Sequence, residues 1–283
     1  MNVPISIIIT TIGEKILEKN LDNLINNQIK FDEIIVVIPK IYKKDTYKKY
    51  DENNNIKFLY TDFKGQVNQR IYGFKNAKSE FVLQLDCDCI IDPNHIFNLY
   101  YYLKRMKEKN GAIAPVYYSD KSKLAIHRLD NNFKNLIKNI ITYIICGSKF
   151  GIFKMGTISR IGNNYGVDPK YMFNEIFETD WLPGGCILHY KKNLYLNNYY
   201  PFTGKAYCED LIHSYFLRNN KIRLYVLKKS HCFTEIPYLP SSFEELKKYL
   251  NVQKYFTKIL NNKIHIGFYI WMLLTYFRYF FTR

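Results

Sequence analysis

The sequence lacks a zinc-knuckle cysteine pattern, a secretory signal peptide and an apolar run long enough to span a membrane. Its six cysteines include no C-x-x-C pair, which argues against a structural zinc site. The N-terminus opens directly into a strand-like run, without the basic start and cleavage site of a signal peptide. Scattered thiols without a leader are typical of the reducing cytosol, so we expect a cytoplasmic protein.

Acidic residues are also scarce relative to basic ones. The chain of 283 residues carries 41 Lys and Arg against 25 Asp and Glu, which gives a formal net charge of +16. Such a balance attracts nucleic acid, anionic lipid or phosphorylated small molecules through the same long-range field. The cations are spread along the chain rather than clustered on one element, so we expect no nucleic-acid partner.

The order of apolar runs in the first half predicts an α/β fold. Strand-like runs alternate with amphipathic helices, which favours right-handed crossovers and a mostly parallel sheet flanked by helices. The predicted strands are residues 5–9, 34–38, 56–60, 81–88 and 112–117. The predicted helices begin near Leu17, after Gly65 and after the Asp92-Pro93 cap.

Two carboxylates one residue apart end the strand predicted at residues 81–88. Because strand side chains alternate with period two, Asp86 and Asp88 are predicted to project to the same side of the sheet. In open parallel sheets ligands bind beyond the carboxyl ends of the strands, where Thr10 and Thr11 also lie. Such an oxygen-rich site suits Mg²⁺ or Mn²⁺ carrying a diphosphate. The alternative is that the acidic pair only forms a turn.

Two apolar stripes lie outside this alternating pattern. Residues 129–144 keep apolar side chains at helical spacing, which predicts an amphipathic helix packed on the core, with a membrane or acceptor role as the alternative. Residues 264–277 are almost wholly apolar and aromatic but fall short of the ~20 residues that span a bilayer. Flanked by Lys263, Arg278 and Arg283, this segment is predicted to be a membrane-associating interfacial helix. The alternative is a helix docked on the protein or in a dimer.

Four stretches resemble glycosyltransferase family 2 in their order, character and spacing. They are residues 5–11, residues 65–73 leading into Asp86-Cys87-Asp88, residues 181–186 (WLPGGC) and residues 208–211 (CEDL). The resemblance covers residues 3–235 and implies an inverting enzyme with the GT-A (Rossmann-like) fold. It divides the chain into a nucleotide-sugar half at 1–118, an acceptor half at 119–235 and a C-terminal helical tail at 236–283.

The resemblance implies donor-side roles for residues of the first half. Thr10 and Thr11 take the place of the loop that touches the nucleotide base, and Arg70 that of an arginine near the nucleotide. Asp86 would face the ribose or a metal-bound water, while Asp88 would ligate the metal. The implied donor-binding set is Thr10, Thr11, Gln66, Arg70, Asp86 and Asp88.

The later stretches imply an acceptor site and a base. Gly184 and Gly185, with Trp181 beside them, resemble the loop under the acceptor. Asp210, paired with Glu209, resembles the catalytic base. Two neighbouring carboxylates can raise one another's pKa, which favours a base. The alternative is that the pair only stabilises the first turn of a helix.

A late histidine adds one more candidate metal ligand. His231 follows the strand predicted at residues 222–227, and several GT-A enzymes place a late histidine on the metal or the diphosphate. The expected metal ligands are therefore Asp86, Asp88 and His231. A structural role for this histidine is the alternative.

We therefore expect a metal-dependent inverting glycosyltransferase that uses Mn²⁺ or Mg²⁺ and a nucleotide-sugar donor, with a UDP-sugar as the first expectation. The resemblance implies a glycan or glycolipid acceptor, lipid-linked or polysaccharide, at the inner membrane face in bacterial surface-glycan synthesis. Two positions depart from the family. Residues 38–40 (IPK) replace the acidic residues that commonly recognise the nucleotide base, so the identity of this nucleotide base stays open. Ile71 replaces an asparagine after Arg70.

Two other functions are compatible with parts of the pattern. A sugar nucleotidyltransferase would need a Gly-rich basic loop after the first strand, which residues 10–14 do not supply. A non-enzymatic module that binds membranes or nucleic acid would need clustered cations and exposed aromatics, and it would leave the acidic pairs unexplained.

Overall fold

A computed structural model describes residues 1–129, 133–202, 205–235, 240 and 242–281. Within these residues nine strands form one sheet, accompanied by seven α-helices. The strands are β1 (Asn2–Thr10), β2 (Lys30–Pro39), β3 (Ile56–Thr61), β4 (Phe81–Asp86), β5 (Ile90–Ile91), β6 (Gly111–Ser119), β7 (Ile176–Thr179), β8 (Cys186–Tyr190) and β9 (Arg223–Thr234). The helices are α1 (Ile16–Ile25), α2 (Gln66–Asn76), α3 (Pro93–Arg105), α4 (Phe133–Cys146), α5 (Glu209–Asn219), α6 (Phe243–Asn261) and α7 (Ile266–Phe281).

The strands lie in the order β3-β2-β1-β4-β8-β6-β9-β5, and β7 pairs with β9. The strands from β3 to β4 are parallel, as are β6 and β9, whereas β8 is antiparallel to both of its neighbours. This confirms the predicted α/β fold, in which helices flank a sheet of mostly parallel strands. The sequence pattern does not predict β5, β7 and β8, which are short and pair with strands distant in sequence.

Each strand and helix predicted in the first half is present. β1 and β2 carry apolar runs in their buried parts, and the buried run of β4 is interrupted only by Gln84. Leu17, Leu21 and Leu24 form the buried stripe of α1. The carboxylate of Asp92 accepts a hydrogen bond from the backbone N–H of Asn94 over 2.7 Å, which caps the start of α3.

The end of β4 differs from its prediction. The strand stops at Asp86, and Asp88 lies in the following turn, where the Cys89 N–H donates to the Asp86 carbonyl over 3.0 Å. Because Asp88 is not in extended backbone, the period-two argument that placed both carboxylates on one side does not reach it. Asp86 is partly buried, whereas Asp88 is exposed.

The apolar stripe of α4 is largely exposed, so the expectation that this helix packs on the core is wrong for most of the stripe. Ile140, Ile141 and Ile144 are 43%, 46% and 73% exposed. The chief neighbour of α4 is α7 instead of the sheet. The two helices come so close that a Cβ at Gly267 would overlap the carbonyl oxygen of Ile145.

The predicted tail contains α6 and α7, which differ in their packing. α6 belongs to the main body, because Phe256 shares a buried cluster with Ile212 of α5. α7 packs on α6 through Tyr279 and leaves its opposite side exposed. The boundary predicted at residue 236 and the flanking Arg283 lie outside the described residues. Among the helices that the structure describes, none is long and apolar enough to cross a membrane.

Candidate active site

The floor of the candidate site is the edge where β1 and β4 end. Thr10 pairs in register with Asp86 on β4 and with Val37 on β2, so the three strands end side by side. Thr11 follows directly, and its hydroxyl donates to the carboxylate of Glu14. The structure thus brings Thr10, Thr11 and Asp86 together at the carboxyl edge, where open parallel sheets bind ligands.

Asp86 is held by two side chains of α2. Arg70 Nη2 donates to Asp86 Oδ1 over 3.1 Å, and Gln66 Nε2 donates to Oδ2 over 2.9 Å. Burial raises the pKa of Asp86 to about 6, although the Arg70 cation acts in the opposite direction. Because both carboxylate oxygens have partners, the orientation of Asp86 is fixed.

Arg70 joins this carboxylate to the acidic pair of α5. Arg70 Nη1 donates to Glu209 Oε2 over 2.7 Å, and the hydroxyl of Tyr199 donates to the same oxygen over 3.0 Å. The Arg70 side chain is only 4% exposed. A cation buried between two carboxylates offsets their mutual repulsion and part of their desolvation cost. The contact therefore fixes α5 against α2 and the end of β4.

Asp210 stands next to Glu209 in the first turn of α5 and is half-buried. The Leu211 N–H donates to Asp210 Oδ1 over 2.9 Å. Burial, followed by the charge of Glu209, raises the pKa of Asp210 to about 7. Asp210 is thus a solvent-accessible carboxyl that exchanges a proton near neutral pH, which is the property required of a general base.

Two glycines connect the end of β4 with the start of α5. The Asp86 N–H donates to the Gly185 carbonyl over 2.7 Å, and the side-chain amide of Gln84 donates to the Gly184 carbonyl. A Cβ at Gly184 would overlap the Glu209 carboxylate, so this position requires glycine. The loop predicted to lie under the acceptor is therefore in contact with the acidic pair.

Trp181, predicted to contact the acceptor, is buried behind this loop. It is 3% exposed, its indole N–H donates to the Tyr165 carbonyl over 3.0 Å, and the rings of His127 and Trp181 make a T-shaped contact. A side chain with almost no exposed surface and an occupied donor is not available to an acceptor. The structure corrects that prediction and makes Trp181 a support of the loop.

His231 is not brought to the acidic edge as the predicted metal site requires. It lies within β9, and its ring packs against His95 and Tyr118 with centroids 4.8 Å from each. Burial lowers the pKa of His231. In the described part of the chain no three His, Cys, Asp or Glu side chains form a group that could hold a metal. The predicted set of Asp86, Asp88 and His231 is therefore not assembled.

Asp88 nevertheless fits a cation that arrives with its own ligands. Although the Asp88 side chain reaches solvent, the surrounding protein partly desolvates its carboxylate and so raises its pKa, and the nearby negative charge of Glu14 acts in the same direction. A divalent cation would relieve this repulsion, and carboxylate oxygens are the donors that Mg²⁺ and Mn²⁺ prefer. Mg²⁺ in particular is commonly held by one or two carboxylates and substrate phosphates, so a protein cage of three ligands is not needed.

Three residues of the site carry no signal in the sequence. Tyr199 bonds to the acidic pair, Gln84 supports the glycine loop, and Gln69 donates to the carbonyls of Thr11 and Val37 over 2.9 Å each. Gln84 and Gln69 bond to backbone carbonyls far away in the chain, and Tyr199 bonds to a side chain ten residues later, outside any regular element that contains both. Neither apolar periodicity nor a short motif marks such contacts.

Solved glycosyltransferase structures resemble this fold at low sequence identity. GalNAc-T7 with UDP, GalNAc and Mn²⁺ matches at 15% identity and a TM-score of 0.57, over 88% of this chain and 47% of that one. The mannosyltransferase PcManGT from Pyrobaculum calidifontis, in complex with GDP-Man and Mn²⁺, matches at 14% identity and a TM-score of 0.55, over 94% of this chain and 66% of that one. S. aureus TarS 1–349 in complex with UDP-GlcNAc matches at 16% identity and a TM-score of 0.56, over 92% of this chain and 67% of that one.

These likenesses establish the GT-A fold, and this chain spans about half of the GalNAc-T7 chain. No curated protein matches the sequence significantly. The model of the family described as glycosyl transferase family 2 matches residues 6–160, which contain the parallel half of the sheet, Arg70 and both aspartates of the β4 turn. The chain belongs to glycosyl transferase family 2.

Proposed function

We propose that the protein is a metal-dependent inverting glycosyltransferase in which Asp210 is the base. The observation that carries this proposal is the bridge from Asp86 through Arg70 to Glu209, with N···O distances of 3.1 and 2.7 Å. The bridge holds Asp210 beside the sheet edge where a nucleotide sugar would bind. An acceptor hydroxyl lying between this edge and Asp210 would be placed for transfer.

The proposed reaction is a single displacement. Asp210 accepts the proton of the acceptor hydroxyl while that oxygen forms a bond to the anomeric carbon of the donor sugar. The bond from the anomeric carbon to the phosphate oxygen breaks, and its electron pair leaves with the nucleoside diphosphate. Attack opposite to the leaving group inverts the anomeric configuration. A base with a pKa near 7 is matched to this proton transfer at neutral pH.

Glu209 serves a positioning role in this mechanism. Its carboxylate is already engaged by Arg70 and Tyr199 and is buried, so it is not available to the acceptor hydroxyl. Its charge raises the pKa of Asp210. Glu209 also keeps the first turn of α5 against Gly184, which fixes the direction in which the base faces.

The residues that would hold a cation are Asp88 and, through water, Asp86. A bound Mn²⁺ or Mg²⁺ would neutralise the negative charge that develops on the departing diphosphate. Two of the similar structures contain Mn²⁺, which supports this choice of ion. UDP or a UDP-sugar is present in the GalNAc-T7 and TarS structures, and GDP-Man is present in the PcManGT structure. We therefore propose a UDP-sugar donor, and the test compares donors with different nucleotide bases.

We propose a lipid-linked or polysaccharide acceptor at the inner face of the bacterial membrane, in surface-glycan synthesis. The excess of basic residues and the exposed apolar sides of α4 and α7 support a place beside anionic lipid. Family resemblance supports the glycan or glycolipid acceptor.

The experiment that tests the proposed donor is a thermal-shift screen of nucleotide sugars with and without Mn²⁺. A ligand that binds only the native state raises the melting temperature, and a shift that needs both the donor and Mn²⁺ is expected for one nucleotide class. The matched variant is Asp88→Asn, which should lose this shift while keeping the melting temperature of the free protein. A donor shift that is independent of Mn²⁺, or unchanged in Asp88→Asn, would refute the metal role.

A further inference from the structure

The helices α4 and α7 lie next to each other and expose apolar side chains to solvent. Ile140, Ile141 and Ile144 of α4 and Leu273, Leu274 and Phe277 of α7 are all between 43% and 73% exposed. We call the exposed apolar side chains of these two helices the α4–α7 face. Exposed apolar residues that recur along two adjacent helices mark an interaction surface.

The charge of both helices has one sign. Their 14 and 16 residues include no Asp or Glu, and their charged residues are Lys134, Lys138 and Arg278. Helices that combine Lys or Arg with Leu, Ile and Phe are typical of segments that lie in the interfacial layer of a membrane. The shortage of acidic residues removes the repulsion that an anionic surface would otherwise meet.

A basic cavity lies where α6 leads into α7. It has a volume of about 400 Å³, and Lys254, Lys258 and Lys263 line it together with Asn251, Tyr255 and Ile264. All three lysines are exposed, and the ammonium of Lys254 lies 6.0 Å from the ring of Tyr269 in α7. Three ammonium groups and an amide are suitable donors for a phosphate headgroup at the border of an apolar surface.

We propose that the α4–α7 face binds the surface of an anionic membrane, with lipid phosphate in the cavity formed by Lys254, Lys258 and Lys263. A bilayer interface accepts the apolar side chains, and its anionic headgroups attract the cations of the same region. A second copy of the chain is a poorer occupant, because it would bring two sets of like charges together. This proposal deepens the proposed function and rests on it, because the lipid-linked acceptor is part of that function.

Vesicle flotation tests the proposal with the full chain. Vesicles of phosphatidylglycerol and phosphatidylcholine in equal amounts should carry the protein upward, and vesicles of phosphatidylcholine alone should not. Ile144→Glu and Leu273→Glu should each reduce recovery with the mixed vesicles, and the double variant should abolish it. Ile41→Glu is the matched control, because Ile41 is 79% exposed in another part of the molecule. The Ile41→Glu variant should float as the wild type does.

The lysine cavity has its own variant and control. Replacing Lys254, Lys258 and Lys263 by Gln should weaken the apparent affinity for the mixed vesicles by at least about tenfold and reduce its dependence on salt. Replacing the exposed Lys57, Lys75 and Lys78 by Gln removes the same charge elsewhere and should have a smaller effect. Equal losses from both triple variants would refute a specific phosphate site.

Several results would overturn the proposal. The first is that the wild-type protein stays at the bottom of the gradient with the mixed vesicles, and the second is that the α4 and α7 variants float as the wild type does. The third is that the wild-type protein is a dimer in solution and these variants are monomers. The donor-dependent thermal shift separates this proposal from the proposed function. Leu273→Glu should keep that shift, whereas Asp88→Asn should lose it and still float.

Discussion

At the scale of residues, the chemistry of the site depends on differences in burial and hydrogen-bond partners among three carboxyl groups. Asp86 is fixed by Arg70 and Gln66, Glu209 is buried against Arg70, and Asp210 alone combines partial exposure with a pKa of about 7. Sequence motifs identified all three acids but not this division. It arises from burial and partners, which a short motif does not encode.

The pKa of Asp210 predicts the pH dependence of transfer. The base acts in its ionised form, so kcat/KM should rise with pH and level off above an apparent pKa of about 7. Asp86, with a pKa of about 6, ionises at lower pH and therefore does not determine where kcat/KM levels off. Initial rates across pH with a donor at low concentration measure the profile. A rate that is flat between pH 5 and 8 would show that Asp210 is not the base.

The same carboxyl should make the folded state less stable as pH rises, whereas it makes transfer faster. Its pKa is raised from 3.8 in the unfolded chain to about 7 in the folded protein, so the folded state binds its proton more tightly. The stability that Asp210 contributes is complete below pH 3.8 and is lost as pH rises through 7. Asp210→Asn removes this contribution to the pH dependence, which urea unfolding at several pH values can measure.

At the scale of elements, α2 and α5 are joined by one buried guanidinium. The predicted helix after Gly65 and the predicted acidic pair are both correct in position, but nothing in the sequence shows that they meet across 139 residues. Strand order decides this contact, because β8 joins β4 to the second half of the sheet. The short strand β8 is among the elements that the sequence did not predict.

Arg70→Met should destabilise the protein strongly. Removing the cation leaves Asp86 and Glu209 uncompensated, which costs about 3–5 kcal/mol for a buried pair. The loss should shrink as pH falls, because Asp86, whose pKa burial raises to about 6, then takes up a proton. Urea unfolding at pH 8 and pH 5 measures both effects. Arg105→Met, at an exposed position of α3, is the control and should stay within about 0.5 kcal/mol of wild type.

The glycine contact also acts at this scale. Gly184 lies against Glu209, and the sequence indicated glycines here without indicating what they contact. Conversely, the period-two rule does not apply to Asp88, because the strand ends two residues earlier. Periodicity is informative within an element and loses its meaning at the element's end, which is where sites of this fold are located.

At the scale of the whole molecule, the sequence correctly indicated the α/β fold and the family, since both depend on the order of strands, helices and motifs. It did not indicate that α6 would share a core with α5 or that α4 would meet α7. Both contacts join helices that are not consecutive in the order of elements along the chain, and α4 and α7 are separated by more than a hundred residues. Amphipathicity shows that a helix has an apolar side but not which surface covers it.

In the proposed mechanism, donor binding and proton removal depend on different carboxylates of one site. Calorimetry with the donor found in the screen and Mn²⁺, combined with a transfer assay, tests it most directly. Asp210→Asn should bind the donor with wild-type affinity and lose transfer by about 10²- to 10⁴-fold, because only the base is removed, while Asp88→Asn should lose donor binding. Normal turnover in Asp210→Asn, or normal donor binding in Asp88→Asn, would contradict the account.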